Sequence, residues 1–178
     1  MKILIASDIH GSEYYCKALL ERYAEEEFDS IVLLGDILYH GPRNDLPKDY
    51  CPKSVISMLN PLSDKILCVK GNCESDVDGM VLDFPVDTEF AMLYFENARI
   101  YLTHGHKIRN DIGKINCILL NGHTHIPLCD SSEGYLHLNP GSVSIPKENS
   151  HHSYMTFDGK TFCWKDVLSG ETYKEYSL

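Results

Sequence analysis

Basic residues are scarce. The 178-residue chain carries 16 lysines and arginines against 26 aspartates and glutamates, a net charge of 16 − 26 = −10 with histidine neutral. That balance argues against a partner such as long nucleic acid, whose non-specific binding needs a broad cationic surface. It does not exclude phosphate chemistry at a locally positive site. Long apolar runs are missing too. The run from Ile3 to Ala6 follows Lys2 and is cut by Ser7, Asp8 and His10, so it is too short for a secretion signal and far short of a membrane span. The seven cysteines (Cys16, Cys51, Cys68, Cys73, Cys117, Cys129 and Cys163) contain no Cys-x-x-Cys pair. A structural zinc knot needs thiols two to four residues apart, so none is expected. An odd number of unframed cysteines points to free thiols in a reducing cytoplasm. Repeats, low-complexity tracts and linkers are absent as well.

What remains is an ordinary globular composition, 43% hydrophobic and 24% charged. Disorder, collagen and coiled coil fit it poorly. The length suits one domain spanning residues 1–178, long enough to bury roughly 70% of the surface the unfolded chain exposes. Nine histidines stand outside the charge sum, and they are the first pointer to chemistry.

The first part of the chain alternates strand and helix. Lys2–Ala6, Ser30–Leu34 and Lys65–Val69 read as buried strands. Ser12 is an N-cap candidate for a helix from Glu13 to about Glu27, and Pro52 opens a second helix to about Leu59. Strands separated by helices predict a parallel βαβ sheet. The polar stretch from Ile37 to Tyr50 is long for a connection, and such loops are usually functional or disordered. The second part is strand-dominated. Phe90–Phe95 and Arg99–Thr103 read as a hairpin turning at Asn97. Asn116–Leu120, Pro127–Asp130 and Tyr135–Leu138 follow. Tyr154–Phe157 and Thr161–Lys165 flank Asp158-Gly159, a hairpin signal. The expected architecture is α/β, two sheets with helices outside.

Each apolar strand ends in residues able to hold a metal. The strand ends carry Asp8 and His10, then Gly35-Asp36, then Gly71-Asn72-Cys73-Glu74, then His104-Gly105-His106, then Gly122-His123-Thr124-His125. In open α/β sheets, ligands collect beyond the carboxyl ends of the strands. A lone Asp or Asn after a strand is usually a turn residue, and an isolated His pair is often only surface. Five such blocks in this order, each behind an apolar run, are hard to produce by chance.

These blocks resemble the calcineurin-like metallophosphoesterase superfamily over nearly the whole chain. Gly35-Asp36-Ile37-Leu38-Tyr39-His40-Gly41-Pro42-Arg43-Asn44 and Asn139-Pro140-Gly141-Ser142-Val143-Ser144-Ile145-Pro146 are similar to its small bacterial YfcE-type phosphodiesterases. The resemblance implies a four-layer α/β/β/α sandwich with two divalent metal ions. Asp8, His10, Asp36 and His125 would hold the first ion. Asp36, Asn72, His104 and His123 would hold the second, with Asp36 bridging. The same resemblance favours manganese; zinc, iron or nickel also suit carboxylate, imidazole and amide oxygen donors. It further implies a phosphodiesterase in which a metal-bridging hydroxide attacks phosphorus in line.

The superfamily commonly has histidine, as leaving-group acid or transition-state stabiliser, where this chain has Cys73. A thiol is a weaker donor. The cysteine is either a mark of preference for diesters with good leaving groups or a residue packed beneath the site. In the loop after Asp36, Arg43 is a candidate bidentate phosphate clamp, His40 is a further catalytic candidate, and Asn44 assists the same loop. Glu74 and His106 are expected to orient the ligands rather than bind metal. His137 is expected on a strand surface, and His151-His152 in a turn. The expected substrate is a small phosphodiester, its pocket shaped by residues 37–50 and by Gly79–Val86, with a homo-oligomer compatible and no membrane partner. A non-catalytic scaffold of the same fold, like the small subunit of the retromer coat, and a phosphomonoesterase are the alternatives.

Overall fold

The computed structural model describes residues 1–109 and 111–178. Among these described residues, eleven strands form two mixed sheets. The first is ordered β11-β10-β9-β1-β2-β3 and the second β4-β5-β6-β8-β7. In the first sheet β1 (Ile3–Ala6), β2 (Ser30–Leu33) and β3 (Ile66–Cys68) run parallel, as the alternation with helices predicts. β9 (Ser153–Phe157), β10 (Thr161–Asp166) and β11 (Thr172–Ser177) extend it antiparallel from the other side of β1. In the second sheet β4 (Phe90–Tyr94) and β5 (Arg99–Thr103) form the expected hairpin. β6 (Ile118–Leu120) and β8 (His137–Asn139) run parallel to β5, and β7 (Leu128–Asp130) closes the edge.

Strand periodicity divides the core. Successive side chains of a strand point to opposite faces. Leu4, Ala6, Ile31 and Leu33 therefore pack against helices α1 (Glu13–Glu25) and α2 (Pro52–Leu59) through Cys16, Leu19, Val55 and Leu59. Their neighbours Ile3, Ile5, Val32 and Leu34 point the other way, to Ile100, Leu102, Leu120, Met155, Phe157 and Trp164, in the layer between the sheets. The fourth layer is thinner than expected. Among the described residues, the outer face of the second sheet is covered around Tyr101, Cys117 and Leu119 by a single 3-10 turn, Ile112–Lys114, rather than by a helix.

Boundaries move where the backbone turns left-handed. α1 stops before Glu27 (φ 52°), and β6 begins after Asn116 (φ 51°); a non-glycine residue rarely adopts that region inside a regular element. Edge strand β11 and the short helix α3 (Asp78–Val81) lack the apolar patterning that would announce them.

Candidate metal centre

The loops following β1, β2 and β3 are stitched together. Beyond the last β1 pair, Asp8 N donates to Gly35 O (3.1 Å), His10 N to Asp36 O (2.9 Å) and Gly11 N to Ile37 O (2.8 Å). Gly35 lies at φ 92°, and a side chain there would run into the Gly71 backbone. The approach of these two loops thus depends on glycine at position 35. Glu74 completes the joint. Its buried carboxylate accepts from Ile37 N (2.7 Å), Asp36 N (3.0 Å) and Gly71 N. It thereby holds the backbone of Asp36 and Ile37.

Five of the seven expected ligands stand in the left-handed region: Asp8, His10, Asp36, His123 and His125, at φ between 49° and 68°. Residues in that conformation cost of order 1–3 kcal/mol each and persist only where their surroundings over-determine them. The surroundings here do so. The carbonyl of Asp8 accepts from Ser142 Oγ (2.9 Å) and Ser144 Oγ (3.0 Å). Asn139 Nδ2 donates to Gly122 O (2.7 Å) and to Thr124 Oγ1 (3.1 Å), bracing the turn that carries His123 and His125. The Asn139–Ile145 segment therefore braces the loops that carry Asp8, His123 and His125, a role its sequence did not disclose.

Three imidazoles are locked in one tautomer. Nδ1 of His10 lies 2.7 Å from Tyr39 O, Nδ1 of His104 2.6 Å from Leu34 O, and Nδ1 of His125 2.6 Å from Ile145 O. A carbonyl only accepts, so each Nδ1 is the donor and each neutral ring presents an Nε2 lone pair. Those lone pairs converge. His10 Nε2 and His125 Nε2 are 3.3 Å apart. Asp8 Oδ1, which has no hydrogen-bond partner, lies 3.3 Å from the latter and 3.6 Å from the former. Asp36 Oδ2 lies 3.7 Å from His10 Nε2 and 3.4 Å from His104 Nε2, and Asn72 Oδ1 sits 3.1 Å from His104 Nε2. The His123 ring is 5.1 Å from that of His104, and its backbone N–H donates to Asp8 Oδ2 (3.1 Å). Acceptors facing acceptors, with one carboxylate oxygen orphaned, are a donor set that fits divalent cations.

Burial pulls the His104 pKa down, but the contact with Asp36 and the Asp8 charge outweigh it and push the pKa up to about 9. His10 is raised by Asp8 and Asp36 against the same burial. Asp8 and Asp36 are held low despite burial, mainly by the histidines.

A cleft of about 390 Å³ opens on this cluster, lined among others by Asp36, Arg43, Asn72, Cys73, His123, His125 and Lys147. Arg43 and Asn44 both line the cleft. His40 does not line it. Its ring packs edge-on against Tyr39 and Tyr50, because the loop turns its side chain into the packing rather than to the site. Cys73 is half-buried; its backbone N–H donates to Asp36 Oδ1 (2.8 Å), and burial with the Asp36 charge pushes its thiol pKa well up. His106 is exposed, 5.6 Å from His104 and 6.2 Å from His123 between ring centres. Gly79–Val86 borders a separate depression with Lys70 and Asp87 and not the metal cleft. His152 stacks on Tyr15 at 3.9 Å, away from the cluster. Lys147 escaped the sequence reading; only its place two residues after Ile145, whose carbonyl holds His125, marks it.

Residues 1–161 match the model of the calcineurin-like phosphoesterase superfamily domain. The chain is 42% identical over 181 residues to phosphodiesterase YfcE of Escherichia coli (strain K12), covering 100% of this chain and 95% of the relative. The solved structure of E. coli Yfce, a phosphoesterase, matches with a TM-score of 0.91 at 38% identity over 99% of both chains. Probable metallophosphoesterase YsnB of Bacillus subtilis is 28% identical over 86% of this chain and 82% of its own length. Wild-type Vps29 of Entamoeba histolytica, solved in complex with zinc, shares the fold at 19% identity, with a TM-score of 0.64 over 99% of both chains.

Proposed function

The chain belongs to the calcineurin-like phosphoesterase superfamily, and from that membership we propose a binuclear metal-dependent phosphodiesterase acting on small diesters. One observation carries the metal dependence. Three tautomer-locked imidazoles aim their lone pairs at Asp8 Oδ1 and Asp36 Oδ2, acceptor against acceptor. The proposal gives Asp8, His10, Asp36 and His125 to one cation, and Asp36, Asn72, His104 and His123 to the other. Asp36 is the shared ligand because its Oδ2 faces both His10 and His104. Manganese is the proposed ion; zinc, iron and nickel suit the same donors.

Divalent cations bound there would supply Lewis acidity and an activated water for in-line attack at phosphorus. The chain's own residues do the positioning. Glu74 and the Asn139–Ile145 segment hold the ligands in their strained conformations, so little reorganisation remains at the moment of reaction. Arg43 receives a non-bridging phosphate oxygen. Cys73 stands where the superfamily commonly has histidine, and a thiol is a weaker proton donor there. That favours substrates whose leaving groups need little protonation, such as phenolic diesters.

The direct test is hydrolysis of bis(p-nitrophenyl) phosphate by the purified protein with each ion, alongside metal analysis. Turnover that requires the ion is expected. No turnover with any divalent ion would leave a scaffold of the same fold, and equal turnover of p-nitrophenyl phosphate would make it a phosphomonoesterase. A reducing cytoplasmic location and assembly into a homo-oligomer belong to the same proposal; all seven cysteines are unpaired.

A further inference from the structure

We propose that the substrate carries a second anionic group beyond the scissile diester and that Lys147 is the specificity residue that receives it; this rests on the phosphodiesterase reading above. The lining of the cleft carries the inference. Asp36, Asn72, His123 and His125 account for the reacting phosphate. The remaining walls are Gly41, Pro42, Arg43, Asn44, Cys73, Thr124 and Lys147. No aromatic or long aliphatic side chain is among them, so the cleft has nothing on which to stack a base or bury an apolar tail. Its volume, about 390 Å³, exceeds what one phosphate fills. Recognition of the rest of the ligand therefore falls to charge and hydrogen bonding.

The charge there is positive. In a chain of net charge −10, the cleft gathers Arg43 and Lys147 and only one carboxylate, the ligand Asp36. Neither cation has a salt-bridge partner among the described residues. A diester brings a single negative charge, which cations held by the ligand set and Arg43 would already answer. Lys147 is left for another anion.

Its backbone is also fixed against the metal cluster. Lys147 N donates to His125 O (3.2 Å), and Lys147 O accepts from Ser150 N (3.0 Å) and Ser150 Oγ (2.7 Å). The flexible part is the side chain alone, whose ammonium acts as a point charge on a fixed root. An anion anchored at the metals thus presents its distal charge to a cation of constant origin.

The test compares two chromogenic diesters on the manganese-loaded protein: the p-nitrophenyl ester of thymidine 5′-phosphate, and the same ester bearing a 3′-phosphate. The wild-type protein should prefer the 3′-phosphorylated ester by about tenfold in kcat/KM, mainly through KM, and lose much of that preference in 0.3 M salt. Lys147→Met should abolish the preference, and Lys147→Arg should restore most of it. Calorimetry gives a readout without turnover: thymidine 3′,5′-bisphosphate should bind the wild type about tenfold tighter than thymidine 5′-phosphate, and equally in Lys147→Met. Equal rates for both esters in the wild type, or an undiminished preference in a folded Lys147→Met protein, would overturn the assignment. A wild type that prefers the bisphosphate in calorimetry but cleaves no diester would instead overturn the phosphodiesterase reading, leaving the anion site standing.

Discussion

On the β1 side of the proposed metal centre, Asp8, His10 and His125 are at most 2% exposed, and both histidines are tied through Nδ1 to backbone carbonyls. On the β3 side, His104 is held in the same way, but Asn72 is exposed and His123 half-buried, its ring resting edge-on against His104. The first half is organised before any cation arrives. The second must still order an amide and an imidazole, which costs side-chain entropy. A cation should therefore bind the inner half more tightly, and the outer half should set how readily the centre fills.

The largest effect should come from the residue the halves share. Asp36→Asn removes the common carboxylate and should lower metal-dependent hydrolysis on the order of 10³-fold, several kcal/mol of transition-state stabilisation. Full activity in that variant would remove Asp36 from its shared role.

The comparison itself is tested by counting ions. After dialysis, Asn72→Ala should retain the tightly bound cation and lose the weak one by elemental analysis, whereas His10→Ala should lose the tight one. Identical losses would mean that the halves are equivalent.

Glu74 braces the joint between them. Glu74→Gln puts an amide N–H against backbone N–H groups and should weaken metal binding by about 10–100-fold. It should also destabilise the fold by about 1–3 kcal/mol, read from chemical unfolding.

The pH dependence separates loaded from metal-free protein. The His104 pKa rises from 6.5 to about 9 on folding without metal. Its contact with Asp36 therefore stabilises the metal-free fold fully below about pH 6.5 and is lost as pH rises through about 9. Asp8 and Asp36 work in the opposite sense, contributing above the ordinary carboxylate value of 3.8 and losing their effect in acid. Metal-free Tm should fall between pH 6.5 and 9, while metal affinity rises over the same interval because protons leave the ligands. A flat Tm would show that these histidines are not protonated in the metal-free fold.

The narrowest effect, on selectivity alone, concerns the wall of the cleft. Cys73→His should raise monoester turnover relative to diester turnover by up to about 10²-fold, the lower range for general-acid catalysis. Unchanged selectivity would assign Cys73 to packing.

The clustering of these residues could be read from the chain because they sit directly after apolar strands, and strand ends converge in an α/β fold. The βαβ order, the Phe90–Thr103 hairpin and the Pro52–Leu59 helix could be read for the same reason: local patterning and turn chemistry decide them. His40 could not be placed, since whether a loop residue faces a cleft or its neighbours depends on how the loop from Ile37 to Tyr50 closes. β11 was hidden because an edge strand half in solvent carries no continuous apolar signal. Lys147 was hidden because a lone lysine in a polar turn looks like any other.

The sequence by itself determined which residues could bind metal and on which strand ends they lie, since periodicity and residue chemistry are local properties. The tertiary structure decided the tautomers, the left-handed ligand backbones and the two cations at the cleft. Each of these depends on contacts between loops far apart in the chain: Tyr39 holds His10, Leu34 holds His104, Ile145 holds His125, and Ser142 and Ser144 hold Asp8. The opening shortage of basic residues is likewise a global sum; only folding shows that two of the sixteen stand at the cleft.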